Sequence, residues 1–242
     1  MFGKNKILKP ESHDGSSLQV QEIFATFQGE GPYVGYPSVF VRLGGCNLSC
    51  SFCDTEFDSF KERTVDEIVV EVLRLARDEG GEVGVEIGAK KNSKKSAGKI
   101  LRNLVVITGG EPLRQPIEKL CEELLSCGFL VQIETNGTLF RDLPRDVKII
   151  CSPKASQGKY HKIRADLLER IDAFKFIISA ASPQYQDFAD VGQSEFNVPV
   201  YLQPMDEYDA KKNHDNVLRV MDLAAKRGAR ISLQIHKILK IS

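Results

Sequence analysis

An α/β fold with a mostly parallel sheet is predicted by two features of this sequence. Short apolar runs recur between breaks containing Gly, Pro, Asn or Ser, and stretches of helical periodicity fill several of the intervals. The clearest run, Leu104-Val105-Val106-Ile107-Thr108, shows no polar alternation, as expected of a strand covered on both faces of a parallel sheet. Strands alternating with helices in this way build βαβ units with right-handed crossovers.

In chain order, Val39 to Leu43 is a short apolar strand leading into a cysteine-rich loop. Thr64-Val65-Asp66-Glu67 is a capping box, and Ile68, Val69, Val72, Leu73 and Ala76 mark the buried face of a helix ending near Gly80. After the strand Leu104 to Thr108, Pro116 opens and Gly128 closes a helix with Ile117, Leu120, Cys121, Leu124 and Leu125 inward. Leu130 to Glu134, Val147 to Cys151, Phe174 to Ile178, Val198 to Leu202 and Ile231 to Ile235 read as further strands. A helix from about Asp215 to Arg227, with Val217, Val220, Met221 and Ala224 inward, feeds the last of them.

At 242 residues the chain suits one domain with a full core, or at most two small ones. Met1 to Ser17 is expected to be a flexible lead, and 18–242 a single domain. Within it, the segment from about 80 to 100 carries Lys90, Lys91, Lys94, Lys95 and Lys99 with no acid after Glu86, the pattern of a solvated, mobile insertion. A net charge of zero points to neither nucleic acid nor an anionic membrane surface. No apolar signal core or membrane-length run is present, so a reducing cytoplasm is the expected setting.

The most informative stretch is Gly44-Gly45-Cys46-Asn47-Leu48-Ser49-Cys50-Ser51-Phe52-Cys53-Asp54-Thr55. Its C-x3-C-x2-C spacing places three thiolates on one loop. Iron–sulfur clusters are usually held by four cysteine thiolates, so three leave one iron open to a small molecule. A structural zinc site is closed and four-coordinate, and neither a second cysteine pair nor spaced histidines accompany this loop. On spacing alone, a zinc site and unrelated cysteines stay open beside the cluster. Cys121, Cys127 and Cys151 lie in apolar surroundings and read as small buried hydrophobes.

Parallel sheets of this kind carry their sites beyond the carboxyl ends of the strands. There the sequence places Thr108-Gly109-Gly110-Glu111-Pro112, Glu134-Thr135-Asn136-Gly137, Cys151-Ser152-Pro153-Lys154, Gln203-Pro204-Met205 and His236-Lys237. Paired glycines allow close approach to the backbone, and Glu111 is expected to pair with a ligand ammonium. Any one of these is an ordinary turn. Five beside a cysteine loop are expected to line one mouth.

Cys46-x3-Cys50-x2-Cys53 with Phe52 before the last cysteine, followed by Thr108 to Pro112, resembles the radical S-adenosylmethionine (SAM) superfamily. The match is closer to its 7-carboxy-7-deazaguanine synthase family, through Phe27-Gln28-Gly29-Glu30-Gly31, Arg42, Cys53-Asp54-Thr55, Glu134 to Gly137, Ser152 to Lys154, Leu202 to Pro204 and Gln234 to Lys237. The resemblance runs from about Gln21 to the end. It implies an incomplete (β/α) barrel, open on one side.

It also implies a lyase of queuosine (7-deazapurine) biosynthesis that converts 6-carboxy-5,6,7,8-tetrahydropterin to 7-carboxy-7-deazaguanine with loss of ammonia. A 4Fe–4S cluster on Cys46, Cys50 and Cys53 would bind SAM and release a 5′-deoxyadenosyl radical, leaving no catalytic side chain beyond that radical. By the same resemblance, Phe52, Cys53, Asp54, Gly110, Glu111, Glu134, Ser152, Pro153, Lys154, Gln203 and Pro204 bind SAM. Phe27, Gln28, Gly29, Arg42, Thr108 and His236 bind substrate, Thr55 holds a magnesium ion, and Arg42 pairs with the pterin carboxylate. The implied partners are a second copy of the chain, in a homodimer, and an external one-electron reductant such as a flavodoxin or ferredoxin. A glycyl-radical activating enzyme of the same superfamily fits less well, because Arg42 and Cys53-Asp54-Thr55 favour a small anionic substrate.

Overall fold

A nine-stranded sheet organises the chain, and seven of its strands run parallel as neighbours in sequence order. The structure, a computed structural model, describes residues 5–53, 55–77 and 99–241. Along the chain lie β1 (Ser17–Phe27), β2 (Pro37–Leu43), β3 (Lys61–Thr64), α1 (Val65–Ala76), β4 (Leu104–Gly109), α2 (Glu118–Ser126), β5 (Leu130–Thr135) and β6 (Lys148–Cys151). A small hairpin, β7 (Ala155–Ser156) and β8 (Lys159–Tyr160), follows, then α3 (Ala165–Leu168), β9 (Ile171–Ile178), β10 (Val200–Pro204), α4 (Ala210–Arg227), β11 (Arg230–Ile231) and α5 (Ile235–Leu239). The order β11-β10-β9-β6-β5-β4-β2-β1-β3 does not close on itself. β1 pairs antiparallel with β2, and β3 with β1, at one edge. This is the open-sided (β/α) barrel that the sequence motifs implied.

The core follows the apolar patterning. Leu104 to Ile107 and Val131 and Ile133 have no exposed surface, so the continuous run is indeed covered on both faces. The capping box at α1 forms as predicted. The Thr64 hydroxyl accepts from the Glu67 amide at 3.2 Å, and the Glu67 carboxylate accepts from the Thr64 amide at 2.8 Å. Val65, Ile68, Val69, Val72, Leu73 and Ala76 form its buried face, each large aliphatic contributing about 1.5–3 kcal/mol. Among the described residues no helix is long and apolar enough to cross a membrane.

Several expectations are corrected. The strand expected over Ile231 to Ile235 is only two residues long, because after Ser232 the chain turns towards Gly29 and Gly31 and Ile235 begins α5. The apolar residues there did not signal burial: Ile231 and Leu233 are 48% and 38% exposed. Helix α4 starts five residues before the expected Asp215, capped by the Asp209 carboxylate on the Lys212 amide; its first turn, Lys211-Lys212-Asn213, has no apolar period to betray it. β1 escaped notice because a register shift between Val20 and Glu22 breaks its alternation.

The lead is the largest correction. Residues 5–16 are not an unstructured tail: Ile7 bridges Cys46, the Leu8 amide donates to the Cys46 carbonyl at 2.8 Å, and the Glu11 amide donates to the Arg114 carbonyl at 2.7 Å. The buried Arg114 guanidinium needs a counter-charge and takes Glu11 at 2.9 Å. Backbone pairing and the ion pairs of Glu11 with Arg114 and Asp14 with Lys119 order the segment without an apolar stripe. The insertion expected at about 80–100 lies mostly outside the described residues; its flanks meet where Arg77 bridges Ile100.

Glu111 closes the parallel core at its carboxyl end. Its fully buried carboxylate accepts from the Leu113 amide at 3.0 Å, the Thr135 hydroxyl at 2.7 Å and the Asn136 amide at 2.7 Å, buckling the end of β4 to that of β5. Unpaired buried donors cost about 1–3 kcal/mol each. Glu111→Ala is therefore expected to lower apoprotein stability in urea denaturation by about 2–5 kcal/mol, allowing for local repair by water. A loss under about 1 kcal/mol would show that this carboxylate does not hold the two strand ends together.

Candidate active site

The carboxyl ends of β2, β4, β5, β6, β9 and β10 surround one cavity of about 350 Å³. Parallel strands present their last residues, and the loops that follow, on this side of the sheet. The antiparallel β1–β2 unit and the α5 region cover it from the edges, through Phe24, Phe27, Gln28, Gly29, Phe40 and His236.

One wall is the cysteine loop. Cys46, Cys50 and Cys53 all line the cavity, and none forms a disulfide. Two glycines let this loop lie close to β4. Gly109 has φ +132°, and a Cβ there would strike the Leu43 backbone; a Cβ on Gly110 would strike the Gly45 carbonyl and Cys46. The paired glycines thus serve the cysteine loop as well as facing the cavity. Arg114 and Gln115 both donate to the Gly44 carbonyl, at 3.0 and 3.2 Å, fixing the loop's entry. Burial pushes the Cys46 thiol up to about 12. Phe52 packs edge-on against Tyr185 at 5.1 Å, with the Tyr185 hydroxyl on the Ala155 backbone.

The donor set fits an iron–sulfur cluster better than a lone ion. Three free thiols on one loop face the cavity. A closed zinc site gathers four ligands around a single ion, whereas a cluster presents a separate iron to each thiolate.

The floor holds Thr108, Gly109 and Gly110 from β4, Asn136 after β5, and Ser152 and Lys154 after β6. The Lys154 ammonium donates to the Ser152 carbonyl and hydroxyl at 2.8 and 2.7 Å, and burial lowers its pKa. Gln203 and Pro204 also face the cavity, and the Gln203 carbonyl oxygen accepts from Ser232 at 3.2 Å. Two residues expected to bind SAM lie behind the cavity lining. Glu111 is not in the lining: its buried carboxylate accepts from three internal donors, and burial raises its pKa. Pro153 does not line the cavity either. Asp54 lies outside the described residues.

The opposite wall carries charge. Lys175, 5% exposed on β9, donates to Glu30 at 2.6 Å and Glu134 at 2.8 Å. Glu134 also accepts from Gln132 at 2.7 Å and Gln28 at 3.5 Å, and Glu30 accepts from Gln234 at 2.9 Å. Burial alone would raise both carboxylates, but the Lys175 charge and hydrogen bond pull Glu30 down to about 2. Glu134 stays above its usual value, through burial and the neighbouring Glu30. The two carboxylates in turn keep Lys175 protonated against burial. The side chain of Arg42 pairs with Glu22 at 2.7 Å and donates to the Thr55 hydroxyl at 3.3 Å. The ring of His236 occupies the space that a Cβ on Gly29 would need, so that glycine is required where α5 docks.

The structure therefore brings together, in one cavity, all the described residues expected to bind cluster, SAM, magnesium or substrate except Glu111 and Pro153. Sequence reasoning assigned no role to Lys175, Glu30 or Asn5, which also face it. Lys175 did carry a signal: it is the lone lysine in the apolar strand Ile171–Ile178, where burial demands a partner.

Comparison with known proteins agrees with this geometry. Residues 40–164 match the radical SAM superfamily. The 7-carboxy-7-deazaguanine synthase of Rickettsia prowazekii is 51% identical over 241 residues, covering 100% of this chain and 96% of that protein. The protein of the same name from Rhodospirillum rubrum is 38% identical over 261 residues, covering 100% of both. The crystal structure of QueE from Escherichia coli superposes with a TM-score of 0.64 at 22% identity, covering 90% of this chain and 94% of that one, which shows a shared fold. The chain belongs to the 7-carboxy-7-deazaguanine synthase family of the radical SAM superfamily.

Proposed function

We propose that this chain converts 6-carboxy-5,6,7,8-tetrahydropterin to 7-carboxy-7-deazaguanine with loss of ammonia, a step of 7-deazapurine (queuosine) biosynthesis. The observation that carries the proposal is the placement of three free thiols and a hydrogen-bonding, charged wall around a single cavity. Cys46, Cys50 and Cys53 would hold a 4Fe–4S cluster, and Phe52, Gly110, Glu134, Ser152, Lys154, Gln203 and Pro204 would seat SAM beside it. Once bound, cluster and SAM supply an organic radical that removes a hydrogen atom from the substrate.

The chain's own residues bind, orient and shield. Arg42, at the end of β2, offers a planar guanidinium for a bidentate grip on the pterin carboxylate. It would exchange its half-exposed pairing with Glu22 for that grip. Gln28 and Glu30 present acceptors to the amino and N–H groups of the pterin ring, and Lys175 keeps Glu30 charged enough to accept. Thr108 and His236 close the sides. Thr55 supplies one oxygen to a magnesium ion, since hard cations take oxygen ligands and keep several waters. That ion would orient the substrate and offset charge during ring contraction. The family resemblance alone supplies the homodimer and the flavodoxin- or ferredoxin-type reductant, while the free thiols support a reducing, cytoplasmic setting.

The direct test is anaerobic reconstitution with iron and sulfide, followed by iron and zinc analysis and assay of both SAM cleavage and pterin turnover. Alanine at Cys46, Cys50 or Cys53 is expected to abolish cluster and SAM cleavage, whereas Cys121→Ala in α2 retains both. Equal loss in the Cys121 variant, or a zinc-only wild type, would refute the assignment.

On the substrate side, Arg42→Lys removes a charge-assisted pair worth about 2–5 kcal/mol. Pterin turnover should fall by roughly 30-fold or more while uncoupled SAM cleavage survives. After chelation, added magnesium should restore turnover in the wild type and stimulate Arg42→Lys, but not Thr55→Ala. A wild type indifferent to magnesium, or Thr55→Ala with the full response, would remove the ion from Thr55. Unchanged turnover in Arg42→Lys would remove Arg42 from the site.

A further inference from the structure

The N-terminal lead precedes every motif of the resemblance, yet it delivers a side chain to the cysteine wall. Asn5 is half-buried and lines the same cavity as the three cysteines. Its Nδ2 donates to the Thr55 carbonyl at 2.8 Å and to Cys53 Sγ at 3.7 Å. Its Oδ1 accepts from the Phe57 amide at 2.9 Å. A carboxamide combines two N–H donors with an acceptor, so one side chain can bind all three points. No other neutral side chain of that length offers the set.

Asn5 is held there by the backbone that follows it. Ile7 bridges Cys46, and the Leu8 amide donates to the Cys46 carbonyl. Farther on, Arg114 pairs with Glu11, donates to the Lys9 carbonyl at 3.3 Å, and donates to the Gly44 carbonyl just before the first cysteine. One guanidinium thus ties the lead to the root of the loop, while Asn5 ties it to the loop's far end.

We propose that Asn5 is a positioning residue for the cluster, clamping Thr55 and Phe57 and donating an N–H to the Cys53 sulfur. The inference rests on the reading that Cys46, Cys50 and Cys53 hold a cluster. Hydrogen bonds to ligand sulfurs favour the reduced, more negative state and so raise the reduction potential. Partners of metal ligands also fix those ligands in place.

The experiment compares full-length wild type with Asn5→Leu, which keeps bulk and adds no charge, with Asn5→Ala, and with Lys6→Ala at an exposed neighbour. Two readouts are taken: the midpoint potential of the reconstituted cluster, from a redox titration followed by electron paramagnetic resonance, and the iodoacetamide alkylation rate of each cysteine in the apoprotein, by mass spectrometry. Both Asn5 variants are expected to show a more negative potential and several-fold faster alkylation of Cys53, with Cys50 at the wild-type rate and Lys6→Ala unchanged throughout. A wild-type potential in both Asn5 variants overturns the proposal, as does the same shift in Lys6→Ala. If an Asn5 variant holds no cluster, the apoprotein decides, and an unchanged Cys53 rate overturns it. A wild type that assembles no cluster refutes the parent reading and this inference with it.

Discussion

A lysine buried in the middle of a parallel sheet is the constraint around which the cavity is arranged. Lys175 sits on β9 between the hydrophobic strands β6 and β10, where an unpaired ammonium would carry a large desolvation cost. Two carboxylates meet that demand from different parts of the chain. Glu134 comes from the end of β5, two strands away across β6, and Glu30 from the loop that follows β1. The second pairing carries more structural consequence. It draws the antiparallel β1–β2 unit over the mouth of the sheet, where Gln234 also grips Glu30 and the Ile235 amide donates to the Gly29 carbonyl. One buried charge therefore links the centre of the sheet, its antiparallel edge and the C-terminal helix.

The cavity that results is divided by chemistry. On one side lie the thiols, beside the Phe52–Tyr185 pair, the Asn5 carboxamide and the Lys154 charge, with the paired glycines letting their loop lie against β4. On the other side, carboxylates, amides and a guanidinium present directional acceptors and donors. A reactive species generated at the first side would meet a substrate oriented by the second, with Phe24, Phe27 and Phe40 as apolar cover from β1 and β2. Positioning and exclusion of water are the protein's share of such chemistry.

Much of this was legible in the sequence because it rests on local signals. Leu104 to Thr108 announces a doubly covered strand, Thr64 to Glu67 a capping box, and Cys46 to Cys53 a ligand loop. Four of the five expected strand-end motifs converged because parallel topology sends them to one side, whereas His236 and Lys237 reach the cavity on α5. What stayed hidden depends on partners distant in sequence. Glu111 looks like a ligand carboxylate until Thr135, Asn136 and Leu113 fold onto it. The lead has no apolar period, and it is ordered by partners distant in sequence: Leu8 with Cys46, Glu11 with Arg114, Asp14 with Lys119 and Asn5 with the cysteine loop. Lys175 was visible as an anomaly in an apolar strand, but nothing local names Glu30 and Glu134 as its partners.

The central claim, that the Lys175 charge organises the mouth, is tested most directly by the pH dependence of apoprotein stability in wild type and Lys175→Met. In the wild type Glu30 is held at about 2, below its unfolded value, so its contribution is present above about pH 4.3 and is lost as pH falls towards 2. Glu134, raised by burial, works in the opposite direction. Without Lys175 both carboxylates stay buried without their ion-paired partner, leaving Glu134 only the more distant Lys154 charge and Glu30 that of His236, so their pKa values rise and protonation at low pH relieves the variant. Lys175→Met should therefore be less stable by about 3–5 kcal/mol near pH 7, with the gap narrowing as pH falls through the carboxylate range. A constant gap across that range, or no loss at neutral pH, would contradict the account.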